Sequence, residues 1–224
     1  MTAIFVTATG TDIGKTFVAA GLIRAMRRRG RSVAAVKPIA SGFEEWSAPA
    51  SDPARLLTAM GLPASAEEIA RIAPWRFRAA LAPDLAARME GRRVDFAALL
   101  AFSRSTIAAG ADLVLIEGIG GVMVPLDERH TVLDWMAELR LPVVLVAGSY
   151  LGTISHSLTA LAALRHRHLA ILAVVVSATE GSAVPLDDTV ASIARFAAGV
   201  RMLTLPRLAP GADDAVFGQL ADLL

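Results

Sequence analysis

"IFVTATGTDIGKTFVAAGLIRAM", Ile4 to Met26, decides the fold. An apolar β-branched run leads into a loop rich in Gly and Thr, and a helical pattern follows. The loop ends as a phosphate-binding loop ends, in Gly14-Lys15-Thr16. The usual pattern also wants a Gly five positions before Gly14, and Thr9 stands there. The strand–loop–helix context is the required one, so the stretch reads as an altered phosphate loop. Gly10 and Gly14 allow close backbone approach. Free N–H groups at the helix start would cradle phosphate oxygens. Lys15 is expected at the β- and γ-phosphates and the Thr16 hydroxyl at Mg²⁺.

Working outward, the pattern alternates apolar runs with helical stretches. Ala3–Thr7 reads as a first strand and Lys15–Arg29 as a helix ended by Gly30. "SVAAVKP" is a second strand, stopped by Pro38. Asp112–Gly118, Leu141–Gly148, Ala170–Ala178 and Val200–Pro206 are further strands. Their continuous apolar character suits a parallel sheet covered on both faces. Ser155–Arg165 and Pro185–Ala198 read as helices between them, and Phe43–Pro53 is the best loop candidate. These features predict α/β architecture: one doubly wound, mostly parallel sheet of the P-loop NTPase type, with residues 1–224 as a single ATP-binding domain.

Bulk numbers agree. A chain of 224 residues, 54% hydrophobic and 19% charged, supports a large core. A net charge of +1 argues against a dedicated nucleic-acid binder. The Arg cluster from Arg24 to Arg31 reads as a solvated helix end. There is no Cys, which excludes disulfides and thiolate metal sites and fits a cytoplasmic location. The first residues lack a basic n-region, so no signal peptide is expected. The apolar runs are shorter than the ~20 residues that a bilayer span needs.

Two residue types are nearly or wholly missing. Asn is absent, and the only lysines are Lys15 and Lys37; every other basic residue is Arg. Where Lys survives in such a background, a compact flexible ammonium is expected to matter. Lys37 lies in "VKPIASG", Val36–Gly42, at a strand's carboxyl edge. In "LVLIEGIGG", Leu113–Gly121, an apolar strand ends in Glu117, where a carboxylate supports Mg²⁺ in comparable sites, and the following glycines admit a ligand. Asp52, in "ASDPAR", reads on spacing as part of a helix cap with Ser51, or else as a second acid for Mg²⁺. His130, His156, His166 and His168 show no metal-ligand spacing. Trp46, Trp75 and Trp135 are expected to be packing residues.

Taken together, "FVTATGTDIGKT", "VKPIASG", "SD", "LVLIEGIGG" and "LPVVLVAGSYLGTISH" resemble the dethiobiotin synthetase family, in order along nearly the whole chain. The family places its first loop Gly one residue farther out, where Ala8 stands here. The resemblance implies Mg-ATP-dependent carboxylation and ring closure of 7,8-diaminopelargonic acid with CO₂. It implies catalytic roles for Lys37, Lys15 and Thr11. Asp12, Ile13, Gly14, Lys15, Thr16 and Phe17 would wrap the ATP phosphates, and Thr16, Asp52 and Glu117 would surround Mg²⁺. Gly118, Ile119 and Gly120 would line the nucleotide; Ser177, Ala178, Thr204, Leu205 and Pro206 would lie beside adenine. Ser41, Lys37, Gly121 and Pro125 would meet the diamine. Thr153 and Ser155, supplied by the second subunit of a homodimer, would meet the substrate carboxylate. Departures from the family pattern are Ala8 for Gly, Ser155 for Asn, no Asn near Ser177–Ala178, and Asp84 where His is common.

Two other readings compete. An amide-forming ligase of the cobyrinate type usually carries a glutaminase domain with a Cys nucleophile, which this chain lacks. A partitioning or division-site switch ATPase has an extra Lys in its loop, where Gly10 stands. The tail Ala215–Leu224 shows no membrane-binding amphipathic pattern. Neither nucleic acid nor membrane is expected as a partner.

Overall fold

The computed structural model describes residues 2–208 and 215–224. Its centre is a six-stranded parallel sheet built from β1 (Thr2–Ala8), β2 (Val33–Val36), β5 (Leu113–Glu117), β6 (Val143–Gly148), β7 (Ile171–Ser177) and β8 (Arg201–Leu205). The spatial order is β2-β5-β1-β6-β7-β8. β5 and β6 are buried at every residue, as a sheet covered on both faces requires. Helices α1 (Lys15–Arg28), α2 (Asp52–Met60), α5 (Phe96–Ala108), α6 (Val132–Leu139), α7 (Thr153–His166), α8 (Leu186–Phe196) and α9 (Ala215–Ala221) accompany it. α3 (Ala66–Ile72) and α4 (Pro83–Met89) lie in the long excursion between β2 and β5.

β1 is the pivot. It pairs with β5 on one side, Val6 opposite Glu117, and with β6 on the other, Ala8 opposite Val146. The chain leaves β1 toward β2 and later crosses back to β6, so the strand order reverses there. A crevice opens outside the carboxyl ends at such a reversal. The phosphate loop, Glu117 and Ser149 all sit at that edge.

A chain without Asn meets its local demands with other residues. Ser51, Ser65, Asp95 and Thr131 cap α2, α3, α5 and α6 by accepting from backbone N–H groups. Asp12, Arg140 and His168 take the left-handed backbone region, with φ of 56°, 51° and 54°. Ala8 does not: it closes β1 in the ladder, and its carbonyl accepts from Val122 at 3.1 Å. The missing loop glycine therefore strains nothing at this position.

Two expectations change. Phe43–Pro53 is not irregular: a 3-10 helix covers Glu45–Ala50, and α2 starts at Asp52. A second small sheet, β3 (Ile39–Ser41) with β4 (Trp75–Phe77), was not legible, because three-residue strands show no periodicity. Trp135 is fully buried against Phe5 and Trp75 is half-buried beside Phe102, but Trp46 is 84% exposed and packs nothing. Among the described residues no helix is long and apolar enough to cross a membrane.

Candidate active site

Strand β1 delivers the loop and α1 receives it. Gly14 takes φ of 97° at the helix start, and no side chain caps that end. The N–H groups of Lys15, Thr16 and Phe17 therefore have no intrahelical acceptor and face outward as a donor cluster. Asp12, in the left-handed region just before, turns the loop so that its backbone curls around a concavity. Thr11 and Asp12 are exposed and Ile13 is half-buried. Phe17 is 43% exposed, and its ring leans on Phe217 at 5.8 Å, away from the loop.

Four sequence-distant motifs meet here. Glu117, fully buried at the end of β5, accepts on Oε1 from the Thr16 hydroxyl at 2.6 Å and from Lys37 Nζ at 2.6 Å. Lys37 also reaches Asp52 Oδ2 at 3.2 Å and the Gly118 carbonyl at 3.4 Å. Lys15 Nζ folds back onto the Gly10 carbonyl at 3.1 Å. Both lysines of the chain thus stand buried at one point, 7% and 4% exposed. The capping question at Asp52 is settled by division of labour. Ser51 accepts from the Ala54 N–H, which leaves the Asp52 carboxylate for Lys37.

The electrostatics follow from burial and charge. Burial and the neighbouring Lys37 ammonium push Lys15 down to about 8. Burial alone would lower Lys37 as well, but the carboxylates of Glu117 and Asp52 outweigh it and hold Lys37 above its ordinary value. Burial raises Asp52, yet Lys37 and the Thr16 hydroxyl outweigh that and hold it below the usual carboxylate range. One cation is therefore locked and the other poised.

Glu117 Oε2 is buried and has no hydrogen-bond partner. An orphaned carboxylate oxygen beside a phosphate loop suits a divalent cation. Among the described residues no three His, Asp or Glu side chains gather at one point. A pair of acids plus a hydroxyl is the donor set of an ion that keeps phosphate and water ligands.

The glycines after Glu117 press on the phosphate loop. A Cβ at Gly121 would lie 3.1 Å from the Thr9 carbonyl oxygen and 3.3 Å from the Gly10 nitrogen. Gly118, Ile119 and Gly120 are buried beneath this contact, and Pro125 is exposed beyond it. Ser41 ends β3, half-buried, beside Gly42, whose N–H donates to the Ala79 carbonyl at 3.0 Å. Residues 79–81 thereby flank Ser41.

Not every expected residue joins the cluster. Ser177 reaches it indirectly: its Oγ would stand 3.4 Å from a Cβ on Gly14. Ala178 donates to the Leu205 carbonyl at 2.9 Å, continuing the β7–β8 pairing, with half-buried Thr204 and exposed Pro206 on either side of buried Leu205. Thr153 turns inward. It is buried, and its hydroxyl donates to the Gly148 carbonyl at 2.8 Å, closing the turn from β6 into α7. Ser155 is exposed on the first turn of α7, beside Leu151 at 90% exposure. Asp84 keeps Oδ1 buried without a partner and lines a separate cavity of about 600 Å³ with Arg88 and His130.

Comparisons with known proteins separate fold from family. A family model described as an AAA domain matches residues 2–210. The 54 kDa signal recognition particle protein of Aeropyrum pernix superposes with a TM-score of 0.58 at 15% identity, covering 99% of this chain and 46% of that one. The septum site-determining protein MinD of Pyrococcus horikoshii, complexed with Mg-ADP, gives 0.58 at 16%, covering 99% and 94%. Likeness at such identities shows the fold alone, so a switch-ATPase reading gains nothing from it. Sequence relatives are far nearer. The ATP-dependent dethiobiotin synthetase BioD of Methylobacterium nodulans is 51% identical over 212 residues, 92% of this chain and 94% of that one. The protein of the same name from Caulobacter sp. is 47% identical over 225 residues, covering 100% and 94%. The chain belongs to the ATP-dependent dethiobiotin synthetase family.

Proposed function

We propose that the chain catalyses Mg-ATP-dependent formation of dethiobiotin from 7,8-diaminopelargonic acid and CO₂, releasing ADP and phosphate in the cytoplasm. One amine adds to CO₂ to give a carbamate. A carbamate oxygen attacks the γ-phosphorus, and ADP leaves. The second amine then attacks the activated carbon, phosphate departs, and the ureido ring closes. Carbon–nitrogen bonds are formed and one phosphoanhydride bond is broken.

The observation that carries this reading is the convergence of both lysines, Thr16, Asp52 and Glu117 at the phosphate loop. Phosphoryl transfer is catalysed chiefly by positioning and charge stabilisation. Lys15 and Lys37 would flank the transferring group, with Thr11 nearby. Locking Lys37 between Glu117 and Asp52 means that no reorganisation is needed as charge develops. Ser41, Gly121 and Pro125 would hold the diamine so that ring closure is intramolecular. Ser177, Ala178 and Thr204–Pro206 would border the base. Thr16, Asp52 and Glu117 would hold Mg²⁺, which neutralises phosphoryl oxygens when bound. In a homodimer, the stretch Leu151–His156 would cap the partner's substrate, with Ser155 as the side chain and Thr153 contributing through its backbone.

Purified protein with ATP, Mg²⁺, the diamine and bicarbonate should yield dethiobiotin by mass spectrometry. ATP should be consumed only when diamine and bicarbonate are both present. Equal ATP turnover without the diamine would sink the proposal.

A further inference from the structure

Residues 42–51 leave the site at Ser41 and return to it at Asp52. Both ends are anchored. Upstream, Phe43 is buried with the Arg76 guanidinium over its ring at 5.5 Å, and its N–H donates to the Phe77 carbonyl at 2.9 Å. Downstream, Ser51 caps α2 and donates to the Ala48 carbonyl at 2.6 Å. Between these anchors the 3-10 helix Glu45–Ala50 fully buries no side chain, and Ala48 alone of its apolar residues leans on the core. Gly42, at φ of +68°, turns the chain out of the site just before the Phe43 anchor, a conformation that few other residues could occupy.

Across from the strap lies a ledge of arginines. Phe43, Glu44, Glu45 and Trp46 face Arg76, Arg78 and Arg92 over an open cleft of about 620 Å³. The ledge is held in place. Arg76 donates to the Ala73 carbonyl at 2.6 Å, and Arg92 donates to the Arg76 carbonyl at 2.8 Å while lying over Phe77 at 4.8 Å. The Glu44 and Glu45 carboxylates have no hydrogen bond or ion pair among the described residues. Trp46 stands 84% exposed, an unusual state for the largest apolar side chain. Unpaired acids and a solvated indole thus face the held Arg76 guanidinium, the exposed Arg78 and Arg92, which also pairs with Glu90 at 3.1 Å, groups that suit both through ion pairing and cation–π contact.

We propose that Glu44–Ala50 is a substrate-responsive strap that closes onto the Arg76–Arg78–Arg92 ledge when the site fills, taking Trp46 out of water. The proposal rests on the functional reading above. A filled site engages Ser41 at one end and the Asp52 carboxylate at the other, so both ends of the strap feel occupancy. Closure stabilises the filled state because the strap makes contacts it lacks when open.

Trp46 is its own reporter, since Trp135 is buried and Trp75 half-buried. Tryptophan emission and acrylamide quenching are measured on the full chain and on W46F, with a non-hydrolysable ATP analogue, Mg²⁺, the diamine and bicarbonate. Calorimetry checks binding in parallel. The Trp46 component, taken as the difference between the two proteins, should shift to the blue and lose quenching severalfold when both ligands bind. An R76A/R78A double variant should still bind the ligands and lose the shift. Ligand binding with unchanged Trp46 quenching overturns the strap alone. Failure of nucleotide and diamine to bind overturns the functional reading and the strap with it.

Discussion

Lys37 is the residue on which most of the site's charge converges. Its ammonium fits a slot between Glu117 and Asp52, 2.6 and 3.2 Å away. A planar guanidinium is too wide for that slot. Lys37→Arg should lower kcat by on the order of 10²-fold or more, while nucleotide affinity by calorimetry changes little. Removing the partner is worse for the fold. Glu117→Ala strands a buried cation and should cost about 3–5 kcal/mol in denaturant unfolding. Lys15 carries the pH dependence. Its folded value, about 8, lies below the ordinary 10.5, so its buried charge opposes folding below pH 8 and that opposition fades toward 10.5. Lys37 is raised, so its contribution is present below 10.5 and is lost only at higher pH. Asp52 is depressed, so its contribution is present above 3.8 and is lost only in acid. Bound phosphates raise Lys15. Nucleotide binding at pH 8 should therefore take up about half a proton, seen as buffer-dependent heats, whereas Lys15 contributes almost none at pH 6. Identical heats in all buffers at pH 8 would refute this. Lys15 and Lys37 were legible because the composition spares no other Lys; their mutual distance and opposite shifts were not.

At the scale of elements, the phosphate loop depends on what presses against it. Gly121→Ala places a methyl 3.1 to 3.3 Å from the Thr9 carbonyl and Gly10 nitrogen, which are backbone atoms with little room to yield. Nucleotide affinity should fall while the far-UV circular dichroism stays that of the parent. Helix α1 shows the same logic on its opposite side. Gly21 faces Phe217 of α9, and an added Cβ would lie 2.2 Å from the ring. The helix-propensity gain of Gly→Ala, about 1 kcal/mol, is outweighed by this overlap. Gly21→Ala should lower Tm, since overpacking a tight core costs about 1–3 kcal/mol. The six strands of the main sheet and helices α1, α7 and α8 were legible from periodicity to within two residues, while α5, though 13 residues long, was not assigned. β3 and β4 were not, because three residues carry no period, and the 3-10 helix at Glu45–Ala50 lies in a stretch rich in turn formers.

At the scale of the whole molecule, the reversal of strand order at β1 gathers the phosphate loop, Lys37 and Glu117 from positions as much as 101 residues apart. The opposite is true of Leu151–His156: its side-chain hydrogen bonds stay within the turn, and Leu151 stands 90% exposed with Met123 58% exposed. An apolar side chain in water at the rim of a site fits a surface shared with a second copy. Leu151→Asp should shift the protein toward monomer in analytical ultracentrifugation and abolish diamine binding with nucleotide binding intact. A monomeric parent with full activity would count against the dimer. The sequence by itself determined the fold class, the phosphate loop and the family, because strand periodicity, glycine spacing and motif order are local properties of the chain. Only the tertiary structure decided that Ser51 and not Asp52 is the cap, that Ala8 stays in its strand, that Thr153 turns inward and that Trp46 is left in water. Each of these depends on which distant backbone atom or charge arrives beside the residue, and no local pattern encodes that arrival. The altered phosphate loop keeps its course without its early glycine because β6 pairs with it and Gly121 packs against it, both from more than a hundred residues away.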